Sequence, residues 1–150
     1  MSYRFAVVEK DLKNLQLLTG LKGVFLDDLS KLRDLNSLSK LAKLRILVLD
    51  MKKGSRLNLG GLKRCLKLRV LCFSLETKKQ WENLTALTSK LKQLRSFEIV
   101  MKRNAKFQLE NKHFKFLAKL TQLRQFVVTG KLKQKKIKDL NFFSKNKKLK

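Results

Sequence analysis

The sequence predicts an α/β fold of stacked, similar segments, and three recurring features support this prediction. A phrase of the form apolar-x-x-Leu-Arg-x-apolar-x-apolar occurs four times, and its Leu-Arg pairs are 24, 26 and 29 residues apart. A run rich in Val, Ile and Phe follows each pair, as expected of a β-strand. The longer connections show helical spacing of their apolar residues. Self-similarity with a period in the twenties is typical of a stacked repeat architecture.

The repeated phrase fixes where the strands are predicted. Its four clear copies read LAKLRILVL, CLKLRVLCF, LKQLRSFEI and LTQLRQFVV, and they begin at Leu41, Cys65, Leu91 and Leu120. Weaker copies contain the pairs Leu21-Lys22 and Tyr3-Arg4. Strands are therefore predicted at residues 4–8, 22–26, 45–49, 69–73, 95–99 and 124–128. Apolar residues alternate along these segments, so one face of each strand is expected to be buried.

The connections between the strands are predicted to be of two kinds. Leucines between residues 12 and 44 recur largely at steps of three, which is too short a step for a straight amphipathic α-helix. This segment is therefore expected to form tight turns and short 3₁₀ pieces. The longer connections predict helices, one with Trp81 and Leu84 on its apolar face and one with Phe114 and Leu117.

These copies resemble the leucine-rich repeat superfamily, and the resemblance covers nearly all of one domain, residues 1–150. It implies a solenoid of about five to six repeats. Parallel strands would form its concave face, and turns, 3₁₀ segments and short helices its convex face. Repeat arrays need polar terminal units that cover their cores. This sequence begins almost inside a predicted strand and ends on Leu149-Lys150, so its ends are expected to be uncapped, as in a fragment or a subunit covered by its neighbours.

The charge of the chain is its most unusual bulk property. Against 37 Lys and Arg there are 11 Asp and Glu, which leaves a net charge of +26. This charge rises along the chain, from +3 over residues 1–50 to +9 over 51–100 and +14 over 101–150. A field of this size favours an anionic partner. The alternative is a lysine-coated surface without a partner, although such a surface normally intersperses acids among its cations.

Residue types that carry catalysis or bind metals are scarce in this sequence. His113 has neither a second histidine nor paired cysteines with which to form a metal site. Nothing positions the adjacent Asp27 and Asp28 as an acid–base pair, and no glycine-rich phosphate loop is present. We therefore expect a protein without enzymatic activity, without a bound metal and without a cofactor.

The cysteines and the hydropathy pattern bear on the compartment. Cys65 and Cys72 are too few for a disulfide framework, which predicts a reducing intracellular environment such as cytoplasm, nucleus or an organelle matrix. Cys65 occupies a leucine position of its repeat, so it is expected to be a small buried apolar residue. No run of about 18 apolar residues is present, so no membrane span is expected, and the first residues do not form a secretory signal.

The cation that follows each leucine is a candidate for phosphate binding. Strands in register about 4.8 Å apart would align these cations, from Arg4 and Lys22 onwards, in a column about 25 Å long. Guanidinium groups bind phosphate in a bidentate manner, so contact with the RNA backbone rather than with bases is predicted. The alternative is a packing role, since arginine at this position is common in the leucine-rich repeat family. The predicted phosphate-binding residues are Arg45, Arg69, Arg95 and Arg124, with Lys133, Lys135, Lys136 and Lys138 near the C-terminus.

A second candidate surface consists of the alternate, outward positions of the early strands. These positions are mostly apolar, and an exposed apolar stripe predicts a protein partner such as a helix or a loop. The alternative is that the chain itself covers this face. The predicted protein-binding residues are Phe25, Ile46, Val48, Val70 and Cys72, and Phe5 and Val7 are expected at equivalent positions. The candidates for stacking on bases or, alternatively, for the core are Phe107, Phe114, Phe116, Phe142 and Phe143.

Together these features predict a non-enzymatic scaffold protein. The best-supported interpretation is a strongly basic architectural subunit of an RNA-containing assembly, such as a ribosome or another ribonucleoprotein particle. It would bind RNA without sequence specificity and would also hold a neighbouring protein of the complex. The alternatives are a protein-only adaptor that recognises an acidic or helical partner, and a basic subunit of an organellar complex.

Overall fold

In the part of the chain that the structure describes, six strands form one parallel β-sheet. The computed structural model describes residues 2–6, 9–27, 29, 32–51, 57–105, 107 and 109–130, and of residues 2–6 and 9–11 it describes the backbone only. The strands follow one another across the sheet in sequence order. They are β1 (Ser2–Ala6), β2 (Gly23–Asp27), β3 (Ile46–Asp50), β4 (Val70–Leu75), β5 (Ser96–Met101) and β6 (Gln125–Gly130).

The register of the sheet follows from the apolar alternation in the sequence. Leu47 is aligned with Leu71, and Leu71 with Phe97, so the same position of each strand faces the core. These three side chains have no exposed area. Intervening residues of the strands are partly exposed, and the sheet therefore has one buried face and one outer face. The predicted strands at 22–26, 45–49, 69–73, 95–99 and 124–128 are confirmed to within two residues at either end.

The first strand also lies within two residues of its prediction, but its predicted register was wrong. β1 spans Ser2–Ala6 rather than residues 4–8. Arg4 is aligned with Phe25, and Phe5 with Leu26, so Arg4 does not occupy the position of Lys22. The physical reason is the alternation itself, because this register aligns Tyr3 and Phe5 with the buried Val24 and Leu26.

The short connections contain the predicted tight turns. Leu38, Leu41 and Leu44 each donate their backbone N–H to the carbonyl three residues earlier, at 3.1, 3.0 and 3.0 Å. Such bonds give about three residues per turn, which places leucines at steps of three on one buried side. Among the described residues, 3₁₀ helices span Asn36–Lys40, Gly60–Arg64 and Lys115–Lys119. Helix α1 (Glu9–Leu15), by contrast, lies partly in the segment for which turns were predicted.

The connection between β4 and β5 forms helix α2 (Lys78–Thr88), as its apolar spacing predicted. A capping box begins the helix, because Thr77 Oγ1 accepts from Gln80 N at 3.2 Å and Gln80 Oε1 accepts from Thr77 N at 3.0 Å. Trp81 is buried and lies 5.7 Å from the ring of Phe114 and 6.1 Å from that of Phe116. A short helix, α3 (Asn111–Phe114), carries Phe114 into this cluster.

The aromatic residues of this region belong to the core. Phe107 lies 6.4 Å from Trp81 between ring centroids, and Phe116 lies 6.0 Å from Phe97. Edge-to-face and tilted contacts at these distances stabilise aromatic clusters. Of the two roles that the sequence left open, Phe107, Phe114 and Phe116 therefore have the core role. Phe142 and Phe143 lie outside the described residues.

Two further buried positions show how closely adjacent turns approach. A Cβ atom on Gly61 would lie 2.4 Å from the carbonyl oxygen of Leu35, so only glycine fits there. Cys65 is buried, and its Sγ lies 3.6 Å from the carbonyl oxygen of Leu38. The burial of Cys65 confirms the expectation of a small buried apolar residue, and it raises the pKa of the Cys65 thiol to about 11.

Candidate functional site

The edge at which the strands begin carries a continuous row of cations. The residue immediately before each of the strands β2 to β6 is basic. Each of the four later members donates its backbone N–H to the carbonyl of the previous member at 2.8 Å, so the ladder of the sheet extends through these residues. At about 4.8 Å per strand the set spans about 19 Å. We call it the first cation row: Lys22, Arg45, Arg69, Arg95 and Arg124.

The charges of the first cation row are available to a ligand. The side chains of Lys22, Arg95 and Arg124 are exposed, and those of Arg45 and Arg69 are partly exposed. Within the described part of the chain, none of the five forms an ion pair with a carboxylate. Adjacent cations at this spacing repel one another, and a bound polyanion would relieve that repulsion.

The structure corrects the extent of the predicted column. Arg4 is aligned with Phe25 and lies outside the row, so the row has five members instead of six and is shorter than expected. It unites the four predicted arginines on one edge. The other predicted phosphate-binding residues, Lys133, Lys135, Lys136 and Lys138, lie outside the described residues.

A second line of cations, which the sequence analysis missed, precedes the first. Five residues before each arginine of the first cation row there is another Lys or Arg, and all four are exposed. A signal exists in the repeated phrase, since a cation precedes its first apolar residue in every clear copy. We call this set the second cation row: Lys40, Arg64, Lys90 and Lys119.

Further cations lie in the turns between the two rows. Lys43, Lys67 and Lys92 are exposed there, and Lys92 Nζ donates to the carbonyl oxygen of Lys119 at 3.4 Å. That bond joins one turn to the next. Residues 39–45, 63–69, 89–95 and 118–124, which contain both rows, include no Asp or Glu. The strand-start edge is therefore uniformly positive across four turns.

The predicted protein-binding residues also come together. Ile46 is aligned with Val70, and Val48 lies between Phe25 and Cys72 in the adjacent strands. All five side chains are partly exposed on the outer face of β2, β3 and β4, and we call them the apolar patch: Phe25, Ile46, Val48, Val70 and Cys72. Phe5 is aligned with the buried Leu26 and so lies outside the patch, which corrects its prediction, and Val7 is outside the described residues.

The apolar patch ends where β5 begins. Ser96 is aligned with Val70, and Glu98 with Cys72, so polar residues replace the apolar ones at the same positions. Ser96 Oγ lies 3.3 Å from Gln125 Oε1 of β6. Desolvation raises the pKa of the Cys72 thiol to about 11, and the negative charge of the neighbouring Glu98 makes a smaller contribution in the same direction. The thiol is therefore protonated at neutral pH and is neither a nucleophile nor a ready metal ligand.

The opposite edge, at which the strands end, uses its polar side chains internally. Ser74 Oγ bonds the carboxylate of Asp50 and accepts the backbone N–H of Met51 at 2.8 Å. Lys102 Nζ lies 2.8 Å from an oxygen of the same Asp50 carboxylate. Farther along, His113 Nδ1 accepts the backbone N–H of Glu110 at 2.8 Å and so caps α3. These groups stabilise the fold instead of facing a ligand.

The functional interpretation depends on the geometry and charge of the chain, because no protein-family model matches the sequence, and no curated protein matches it either. In the described ranges, no helix has the length and apolar character needed to cross a membrane. Over the same residues, no three or more His, Cys, Asp or Glu side chains are grouped as metal ligands would be.

Proposed function

We propose that this protein is a non-enzymatic leucine-rich-repeat scaffold that binds the phosphate backbone of RNA. It would serve as a basic architectural subunit of an RNA-containing assembly, such as a ribosome or another ribonucleoprotein. The observation that carries the proposal is the first cation row, five adjacent cations without a carboxylate partner among the described residues. Consecutive parallel strands joined by similar turns support a solenoid of about five to six repeats with its strands on the concave side.

The regular spacing of the first cation row favours a polyanion over a folded acidic protein. Its members recur at about 4.8 Å over about 19 Å, and a nucleic-acid strand offers a phosphate every ~3.4 Å when stacked. A continuous chain of negative charge can therefore contact all five members at once. Four of the five are arginines, which bind phosphate in a bidentate manner.

The proposed contact does not read the base sequence. The phenylalanines around Trp81 are committed to the core and are not platforms for stacked bases. Binding through phosphates alone is sequence-independent and depends strongly on salt. We propose that Lys133, Lys135, Lys136 and Lys138 extend the same contact from the C-terminal segment, where the net charge is highest.

Binding to a labelled single-stranded RNA at several salt concentrations tests the proposal. Contact with about five phosphates predicts a slope of log affinity against log salt between about −3 and −4. The variant Arg69→Gln/Arg95→Gln should reduce the magnitude of the slope by about 1.4, since each lost phosphate contact removes ~0.7. The matched control is Lys79→Gln/Arg103→Gln, which removes the same charge from exposed positions away from the strand-start edge. Equal losses in both variants, or no binding by the wild type at low salt, would contradict the proposal.

A protein-only adaptor is the second candidate, and the apolar patch favours it. Five partly exposed apolar residues in register form a surface suited to a helix or an extended segment. If this is the main function, polyglutamate of matched charge should bind as tightly as RNA. The variant Val48→Asp/Val70→Asp should then weaken binding of an acidic amphipathic peptide more than Arg69→Gln/Arg95→Gln weakens binding of RNA. The opposite ranking supports the RNA scaffold.

A further inference from the structure

The four turns that carry the second cation row close with the same backbone hydrogen bond, and three of them share a second one. Ala42 N donates to Lys40 O at 3.0 Å, Leu66 N to Arg64 O at 2.9 Å and Lys92 N to Lys90 O at 3.0 Å. Four residues after the cation, the next leucine closes the turn with a bond to the carbonyl three residues earlier. The strands that follow are in register. Equal positions of successive turns therefore lie side by side, and the four cations form a row parallel to the first.

The second cation row ends at a defined point. In the turn before β2 the same bond runs from Thr19 N to Leu17 O at 3.0 Å, so Leu17 occupies the position that a cation holds elsewhere. Leu17 is 75% exposed and is not needed for the core. The row thus has four cations, and at the fifth equivalent position it has the exposed Leu17 instead of a cation.

We infer that the second cation row is a second phosphate-binding track, so that the strand-start edge holds a phosphodiester polyanion along two parallel lines. This inference depends on the proposed function and adds a site to it. The ligand crosses the strands at their starting edge, with Lys43, Lys67 and Lys92 beneath it between the rows. Its phosphates come either from one RNA strand that alternates between the rows or from the two strands of an RNA helix.

The variant Lys40→Gln/Arg64→Gln/Lys90→Gln/Lys119→Gln replaces the four cations of the second row with uncharged side chains and so tests the inference. The measurement is the salt dependence of binding to a 12-nucleotide single-stranded RNA and to a duplex of the same length. With both rows in contact the wild-type slope on single strands should be about −6, steeper than the −3 to −4 expected of the first row alone, and loss of four contacts should reduce its magnitude by about 2.8. If the slope decreases on the duplex alone, the second row contacts the second strand of the duplex. Either result supports the second track.

A control of equal charge separates a specific track from a general loss of positive charge. The variant Lys13→Gln/Lys79→Gln/Arg103→Gln/Lys115→Gln removes four exposed cations that belong to neither row. If the two quadruple variants have equal slopes on both RNAs while Arg69→Gln/Arg95→Gln still reduces its slope, the second track is wrong and the proposed function stands. If the wild type binds neither RNA at low salt, both are wrong.

A gain of affinity offers a test that misfolding cannot imitate. Leu17→Lys places a cation at the fifth equivalent position of the second row. The slope should become steeper by about 0.7, which corresponds to one added phosphate contact. Asn104→Lys adds the same charge at an exposed position after β5 and should leave the slope nearly unchanged. Equal effects of the two substitutions would overturn the inference.

Discussion

The two edges of the sheet employ their polar residues in opposite ways. At the edge where strands begin, exposed cations recur in every turn, and in the described part of the chain they have no carboxylate partners. At the edge where strands end, Asp50, Ser74 and Lys102 are bonded to one another. Polar groups that are satisfied internally contribute to stability, whereas unpaired like charges oppose it. The strand-start edge therefore carries uncompensated positive charge, as the proposed binding surface requires, whereas the bonded polar groups of the strand-end edge support the fold.

Substitution of Gly61 should have the largest effect, because it attacks the stacking on which the strand-start edge depends. A Cβ atom at this position would meet the backbone of Leu35 and Asn36 at 2.4–2.7 Å. Alanine in place of glycine favours helical backbone by less than ~1 kcal/mol, and the clash exceeds that gain. We expect Gly61→Ala to lower the free energy of unfolding by about 3 kcal/mol. Urea denaturation followed by circular dichroism measures this change.

Gly20 provides the matched control for this prediction. A Cβ atom there has no heavy atom within 4 Å, and its backbone has no positive φ. Gly20→Ala should therefore be neutral or stabilising by up to about 1 kcal/mol. A Gly61→Ala protein as stable as Gly20→Ala would show that adjacent turns are not closely stacked, and the two aligned cation rows would lose their structural basis.

The second prediction concerns the support at the strand-end edge. Ser74→Ala removes the hydroxyl that bonds Asp50 and accepts the backbone N–H of Met51. Loss of these buried hydrogen bonds should lower the free energy of unfolding by about 1–3 kcal/mol. Ser96→Ala is the control, since Ser96 lies at the start of β5 and bonds the exposed Gln125. Thermal unfolding should show a clear loss for Ser74→Ala and almost none for Ser96→Ala, and the reverse order would contradict the division between the edges.

The repeated phrase was sufficient to predict most of the fold. Because a cation directly precedes each strand, the strands β2 to β6 could be placed within two residues from sequence. The register of the first strand was predicted wrongly because Tyr3-Arg4 resembles the phrase, whereas the apolar alternation of Tyr3 and Phe5 sets a different register. At this strand, alignment with the buried Val24 and Leu26 outweighs the local resemblance.

The candidate site could be predicted from the sequence less completely than the fold. The first cation row and the apolar patch could be foreseen, because each depends only on equal positions of successive copies. The support at the strand-end edge could not, as the contact of Asp50 with Ser74 requires the register of two strands and the side-chain rotamers together. The commitment of Phe107 and Phe116 to Trp81 likewise depends on where the long connections cross the core.

The third prediction uses pH to perturb the polar groups beyond the strand-end edge. Desolvation lowers the pKa of His113 below its ordinary value near 6.5, and the positive charge of the neighbouring Lys112 makes a smaller contribution in the same direction. Its Nδ1 accepts the backbone N–H of Glu110, and protonation must break this bond. The unfolded chain thus binds the proton more readily than the folded one. The stabilisation is complete above about pH 6.5 and is lost as the pH falls from there through the folded pKa.

His113→Gln provides a control for the pH prediction. A glutamine side chain already caps α2 in the same manner, since Gln80 accepts from the backbone of Thr77. The variant should resemble the wild type in thermal unfolding at pH 7.5 and should lack the wild type's additional loss between pH 6.5 and 5. An identical pH profile for both proteins would remove His113 from the set of supporting polar groups.

The smallest expected effect tests whether the strand-start cations oppose folding when no ligand is bound. Lys43→Gln/Lys67→Gln removes two exposed cations that lie between the rows, and relief of repulsion should raise the free energy of unfolding by a few tenths of a kcal/mol, ~0.3 at low salt. Added salt should abolish the difference, because the Debye length is only about 10 Å at 0.1 M. Lys78→Gln is the counterpart, as Lys78 pairs with Glu82 at 3.5 Å and its loss should destabilise slightly or not at all. If the double variant is less stable than the wild type at low salt, these lysines contribute to the fold, and the strand-start edge is less free for a ligand than the contrast with the strand-end edge requires.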